Sequence, residues 1–145
     1  MALELDFDDF ALPDEGLLEM KNRKGEPSGW VWRMAGPGHP ATLAADDRIT
    51  KRALKISKEQ EQARVNGRKW KGEDDTPEAM RERSVDYIVA RTLGWNDDMV
   101  IGGKPFPFSA ENARLALTKP ASSFFDQASE YLKDESSFTR RSAGS

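Results

Sequence analysis

Residues 17–34 read Leu17-Leu18-Glu19-Met20-Lys21-Asn22-Arg23-Lys24-Gly25-Glu26-Pro27-Ser28-Gly29-Trp30-Val31-Trp32-Arg33-Met34. Two apolar runs flank a cluster of turn formers. Side chains alternate along a strand, so Trp30, Trp32 and Met34 share one face of the second run. Gly25 supplies the positive φ that a hairpin loop commonly needs. The stretch predicts a β-hairpin over 17–34 at the front of a chain whose remainder is rich in helix formers.

Working outward, Gly36-Pro37-Gly38-His39-Pro40 ends the second strand, and no proline or glycine follows until Gly67. A helix over about 40–66 is expected, with Pro40 tolerated in its first turn because the missing N–H has no intrahelical partner there. Asp46 and Asp47 come early and Lys51, Arg52, Lys55 and Lys58 late, the order a helix dipole favours. Its apolar stripe is thin: Ile49, Ala53, Ile56 and Ala63, flanked by Leu43 and Leu54. Such a helix leans on the body along one narrow seam.

Thr76-Pro77-Glu78 combines a capping hydroxyl, a first-turn proline and a first-turn acid, and opens a helix over about 77–93. Val85, Ile88, Val89, Thr92 and Leu93 follow helical spacing, and Gly94 reads as its C-terminal cap. Residues 95–107 read as a loop. Ser109 caps a helix over 110–118, and Pro120 separates it from another over 121–133. The last helix carries Ala121, Phe124, Phe125, Ala128 and Leu132 on one side. The fold class is therefore α+β, mainly α-helical, with an N-terminal β-hairpin and about four helices. One domain is expected over 16–135, between an acidic, flexible arm (1–15) and a flexible tail (136–145).

Charged residues make up 32% of the 145, and the net charge of −3 conceals an asymmetry. Residues 1–20 hold seven acids and no base, whereas 21–71 hold thirteen bases against five acids. The acidic arm, in which Leu3, Leu5 and Phe7 alternate with Glu4, Asp6 and Asp8, can therefore be drawn to the basic middle, or the middle to an acidic partner. The arm lacks a basic segment followed by an apolar run, so no secretory signal is read. No stretch approaches the roughly 20 apolar residues a membrane span needs.

Catalytic chemistry is not indicated. Cysteine is absent, and His39 is the only histidine; it lies on a connector, where a loop or helix-capping role is expected. The acidic pairs Asp8-Asp9, Asp46-Asp47, Asp74-Asp75 and Asp97-Asp98 lack calcium-loop spacing. Gly102-Gly103-Lys104 lacks the phosphate-loop spacing and is followed by proline. The reading is non-enzymatic, without cofactor or metal. The basic segment 48–71 raises a nucleic-acid reading. The sequence pI of about 5.3 weighs against it, and a solvated charged face is the simpler account.

In Pro105-Phe106-Pro107-Phe108, proline stiffens an extended segment and sets both rings on one side. Two readings stand: the rings plug a small core, or they meet a partner. The order of features resembles tail assembly chaperones of long-tailed (siphovirus-type) bacteriophages. The likeness rests on Lys24-Gly25-Glu26-Pro27, Ala35-Gly36-Pro37, Val85 through Trp95, Gly103-Lys104-Pro105-Phe106-Pro107-Phe108-Ser109, Glu111-Asn112-Ala113, and a terminal helix running to Ser137-Phe138. It spans 24–141 in layout and 85–138 in motifs.

The resemblance implies a protein of the host bacterial cytoplasm that coats the long helical tape measure protein, contacts tail tube protein, and leaves the finished particle. Covering an apolar helix stripe keeps it from aggregating, and helix-in-groove recognition is the expected mode. On this reading the clip locks against the helix beginning at Ser109. Phe106, Phe108, Phe124, Phe125 and Tyr131 are then the candidate partner-binding residues. The alternatives are a structural tail or connector subunit of the virion, and a nucleic-acid-associated protein using the basic helix. Whether the chain forms a homo-oligomer is left open.

Overall fold

The computed structural model describes residues 3–7, 14–72 and 76–134. The expected tail lies outside these residues, as does much of the acidic arm. The elements run β1 (Glu15–Lys21), β2 (Pro27–Ala35), α1 (Pro40–Val65), α2 (Pro77–Arg91), β3 (Thr92–Trp95), β4 (Val100–Ile101), β5 (Lys104–Pro105), α3 (Ala110–Thr118) and α4 (Phe124–Lys133). The α+β class expected from the sequence is what the chain adopts.

The hairpin is present, with Leu18 opposite Trp32 and Glu19 opposite Val31. Gly25 takes φ +81° in its turn, and Asn22 organises that turn by accepting from the Lys24 and Glu26 amides through Oδ1. β2 is the central strand of a three-stranded antiparallel sheet ordered β1-β2-β3. Trp30, Trp32 and Met34 turn one face of β2 inward, and all three are buried. They form the core with Met20 of β1, Val85 and Ile88 of α2, Trp95 of β3, Ala113, Ala116 and Leu117 of α3, and Ala128 of α4.

Two boundaries differ from expectation for identifiable reasons. The helix expected to 93 stops at Arg91, because Thr92 to Trp95 pair with the open edge of β2: Trp95 opposite Trp32, Gly94 opposite Arg33, Thr92 opposite Met34. The Thr92 hydroxyl donates to the Ile88 carbonyl at 2.7 Å, satisfying one helix-end acceptor. Gly94 is thus a strand residue and not a cap; a Cβ there would lie 3.1 Å from Arg33 Nη2, tighter than ordinary contact. The last helix begins at Phe124 rather than 121. Ala121 takes φ +57°, a left-handed turn conformation that breaks the chain direction after Pro120.

The expected loop 95–107 also contains order. β4 and β5 form a two-residue hairpin joined by Gly102 and Gly103, at φ +60° and +77°. Positive φ at both central residues is what a tight right-twisted hairpin demands, and glycine accepts it at least cost.

The three predicted N-terminal capping groups act as such. His39 Nδ1 accepts from the Ala41 amide, Thr76 Oγ1 from Ala79, and Ser109 Oγ from Asn112. Two side-chain amides extend the sheet's hydrogen bonding. Asn96, just past β3, accepts from the Val31 amide and donates to the Gly29 carbonyl. Gln127 of α4 does the same for the amide and carbonyl of Lys21, tying α4 to β1. α1 is seated only near its start, with Thr42 and Ala45 its buried residues.

Candidate functional site

The aromatic clip folds inward. Phe106 stacks on Trp95 with centroids 5.7 Å apart and planes within 4°, and Phe108 meets the same indole edge-on at 5.1 Å. Trp30 is the hub beneath them, edge-on to Trp32, Trp95, Phe106 and Phe124. These offset and edge geometries suit the ring quadrupoles. The main chain is fixed too: Trp95 Nε1 donates to the Phe106 carbonyl at 3.0 Å, and the Phe106 amide donates to Met99. Asn112 Nδ2 donates to the Pro107 carbonyl at 2.8 Å, so the clip closes on the first turn of α3, as the sequence reading supposed.

The five candidate partner-binding residues therefore do not form one outward patch. Phe106, Phe108 and Phe124 gather around Trp30 and Trp95. Phe125 points toward α2, where the Arg81 guanidinium lies 4.1 Å from its ring centroid. Tyr131 packs against the same core from α4, and all five are partly buried.

A different surface is open. A cavity of about 590 Å³ runs between α1, α2 and the end of α4. Ile49 and Ala53 form one wall, Met80 and Ile88 the opposite one, and Leu132 closes an end. Arg52, Arg83, Arg91 and Lys133 also line it, and among the described residues no carboxylate does. The lining combines apolar surface with positive charge. Sequence reading placed Ile49 and Ala53 on a seam against the body. In the structure the seam parts beyond Ala45, and Ile49 is 55% exposed. The signal was present in α2 as well, where Met80, Arg83, Ser84 and Tyr87 recur at helical spacing on one side.

The inner end of the groove is held by a polar chain. Arg91, buried to 5% exposure, donates from Nε and Nη2 to the Ala35 carbonyl at 3.2 and 2.7 Å, at the end of β2. Its Nη1 donates to Tyr87 Oη at 3.2 Å, and Tyr87 donates to Asp46 Oδ1 at 2.8 Å. β2, α2 and α1 are joined through these side chains. Burial raises the Tyr87 phenol above its usual 10.0, helped by the hydrogen bond to Asp46 and opposed by the Arg91 charge.

The basic stretch singled out in the sequence ends in a second depression of about 670 Å³, where Arg68, Lys69 and Lys71 surround Trp70 at the far end of α1. Among the described residues no three or more His, Asp or Glu side chains cluster as a metal site requires. No described helix is long and apolar enough to cross a membrane. No family model, curated protein or solved structure matches the chain.

Proposed function

We propose that the protein is a non-enzymatic assembly chaperone that shields an amphipathic helix of its client in the groove between α1, α2 and α4. The carrying observation is that groove itself: aliphatic walls and cations around a space left open by the fold. Because the aromatic rings are spent on the core, client binding falls to aliphatic side chains such as Ile49, Met80 and Leu132. Cations at the margin favour a client helix with an acidic flank and disfavour a basic one. The highly charged exterior keeps the loaded complex soluble.

The resemblance to tail assembly chaperones supplies the specific client, the tape measure protein of a long-tailed bacteriophage, with tail tube protein recruited afterwards in the bacterial cytoplasm. The test is co-expression with the tape measure protein, scored by the client's soluble fraction and by mass spectrometry of finished particles. A chaperone keeps the client soluble and is absent from the particle. Recovery at fixed copy number in particles would instead establish a structural tail or connector subunit.

The cations around Trp70 keep the nucleic-acid reading as the second one. Its signature is a DNA shift that weakens steeply as salt rises, and no shift near physiological salt removes it.

A further inference from the structure

We propose that the depression around Trp70, at the far end of α1, binds single-stranded nucleic acid, with an unpaired base stacked on the indole and the flanking phosphates held by Arg68, Lys69 and Lys71. The proposal rests on the nucleic-acid reading and narrows it to unpaired strands. Three observations point to it.

The first is a tryptophan outside the core. Trp30, Trp32 and Trp95 are buried together, whereas Trp70 stands half-buried on a polar connector. The cations beside it have a simple account, since positive charge suits the C-terminal end of a helix. An indole among them has no such account. A flat π surface between cations is the combination that a base and its phosphates call for.

The second is how the chain presents the ring. Past the end of α1 the Gly67 and Arg68 amides donate back to the Arg64 and Ala63 carbonyls, and Gly67 takes φ +67°. That turn brings residues 68–72 alongside the last turns of the helix, so Gln62 and Asn66 line the same depression as Trp70. Their side-chain amides carry the donors and acceptors that match a base edge. Gly72 lies so close to the indole that a Cβ there would collide with it, and the main chain thus fixes the ring from one side. The space left, about 670 Å³, falls in the range of small-ligand pockets, roughly 300–1,000 Å³.

The third is charge. Arg68, Lys69 and Lys71 are exposed, and among the described residues Glu59 is the one carboxylate that lines the depression. In sequence the basic run ends at Glu73-Asp74-Asp75, so the cationic stretch is short and about three phosphate contacts are expected. A duplex keeps its bases paired and stacked, out of reach of an indole, and a single strand offers them.

The test uses the full-length chain with a fluorescein-labelled oligothymidylate of about 12 nucleotides, within the usual span of single-strand sites, and a duplex of equal length. Anisotropy should give a Kd on the order of 10 μM for the single strand, weakening roughly twentyfold between about 50 and 200 mM salt, as three phosphate contacts imply. The duplex and the Trp70→Ala variant should each bind at least about fivefold more weakly, having lost the stacked base. Trp70→Phe should lose less, and Lys69→Glu with Lys71→Glu should abolish binding. Gly72→Ala, which displaces the ring and keeps the cations, should weaken it. Binding should quench tryptophan emission, and Trp70→Ala should remove the quench while its three core tryptophans report that it is folded. Equal binding of duplex and single strand, with Trp70→Ala inert, would overturn the proposal and leave the nucleic-acid reading standing. No binding to either would remove both. A polyglutamate peptide that competes as well as unlabelled oligonucleotide would also overturn the proposal, and would give the site to acidic protein segments.

Discussion

Replacing Phe106 and Phe108 together by alanine separates the two roles open to the clip, and the expected cost can be worked from the packing. A fully buried Phe→Ala change costs about 3–5 kcal/mol. Both rings are partly buried, so roughly half of that, about 2 kcal/mol each, is the appropriate scale. Both rings also contact Trp95, one stacked and one edge-on. Shared partners make the effects non-additive, and the double variant should lose about 3–4 kcal/mol. Against the 5–15 kcal/mol typical of a domain, that is a large loss without being a fatal one. The main-chain links survive, since Trp95 Nε1 donates to a backbone carbonyl that alanine also has.

Urea unfolding followed by tryptophan fluorescence reads the effect directly, because Trp30, Trp32 and Trp95 report on this cluster. The expected result is a lowered midpoint at nearly unchanged slope, and a Tm lower by roughly 10–15 °C. A change below about 0.5 kcal/mol would refute the assignment of the rings to the core. The client assay then adds a second axis. If the folded double variant still keeps its client soluble, the rings serve packing alone; if stability is unchanged and client binding is lost, the inward reading of the clip fails.

Arg91→Met should cost about 2–3 kcal/mol by leaving the Ala35 carbonyl without its two charged donors, while Arg91→Lys, which lacks the planar fork, should restore less than half of that in the same urea assay. Asn96→Ala removes the side-chain bonds to Val31 and Gly29; a loss of about 1–2 kcal/mol and faster hydrogen exchange at the Val31 amide are expected, and unchanged exchange would show that the amide is protected otherwise. The Tyr87 phenol, raised above 10.0 by burial, binds its proton more tightly folded than unfolded. Its contribution is fully present below the unfolded value and is lost as pH rises through the folded one. Absorbance titration should show one of the two tyrosines ionising late, and Tyr87→Phe should abolish that late step.

The elements that were legible in the sequence are those whose signals are local. A hairpin declares itself through Gly25 and the alternation at Trp30, Trp32 and Met34. Three helices declare their starts through His39-Pro40, Thr76-Pro77 and Ser109. β3 was illegible because nothing local distinguishes Thr92-Leu93 from a final helical turn. Its strand conformation comes from the vacant edge of β2, roughly 60 residues earlier in the chain, and from the burial of Trp95 that pairing there allows. Gly94 misled for the same reason: glycine suits a helix cap, and it equally suits a strand position overlain by Arg33. The direction in which the clip's rings point was undecidable without Trp95, whose own placement depends on β3. The groove was half legible, since both walls show helical stripes, but only tertiary spacing reveals that the stripes diverge.

That divergence follows from how α1 is attached. The helix is 26 residues long, roughly 39 Å at 1.5 Å per residue, yet its buried residues, Thr42 and Ala45, fall in its first two turns. The Thr42 hydroxyl donates to the Gly36 carbonyl and Asp46 accepts from Tyr87, so the polar fastenings lie at the same end. Farther along, surface pairs such as Asp47 with Lys51 and Glu61 with Arg64 lie along the helix, and pairs so exposed to water and salt add little. Helical order in that part rests on propensity more than on packing. A wall hinged at one end in this way can adjust its distance from α2, since moving it disturbs few buried contacts. Fixing the same wall with an apolar seam along its whole length would add stability and fill the groove. The fold thus keeps its aromatic rings where rigidity is required and leaves aliphatic and cationic side chains on the wall that can yield to an occupant.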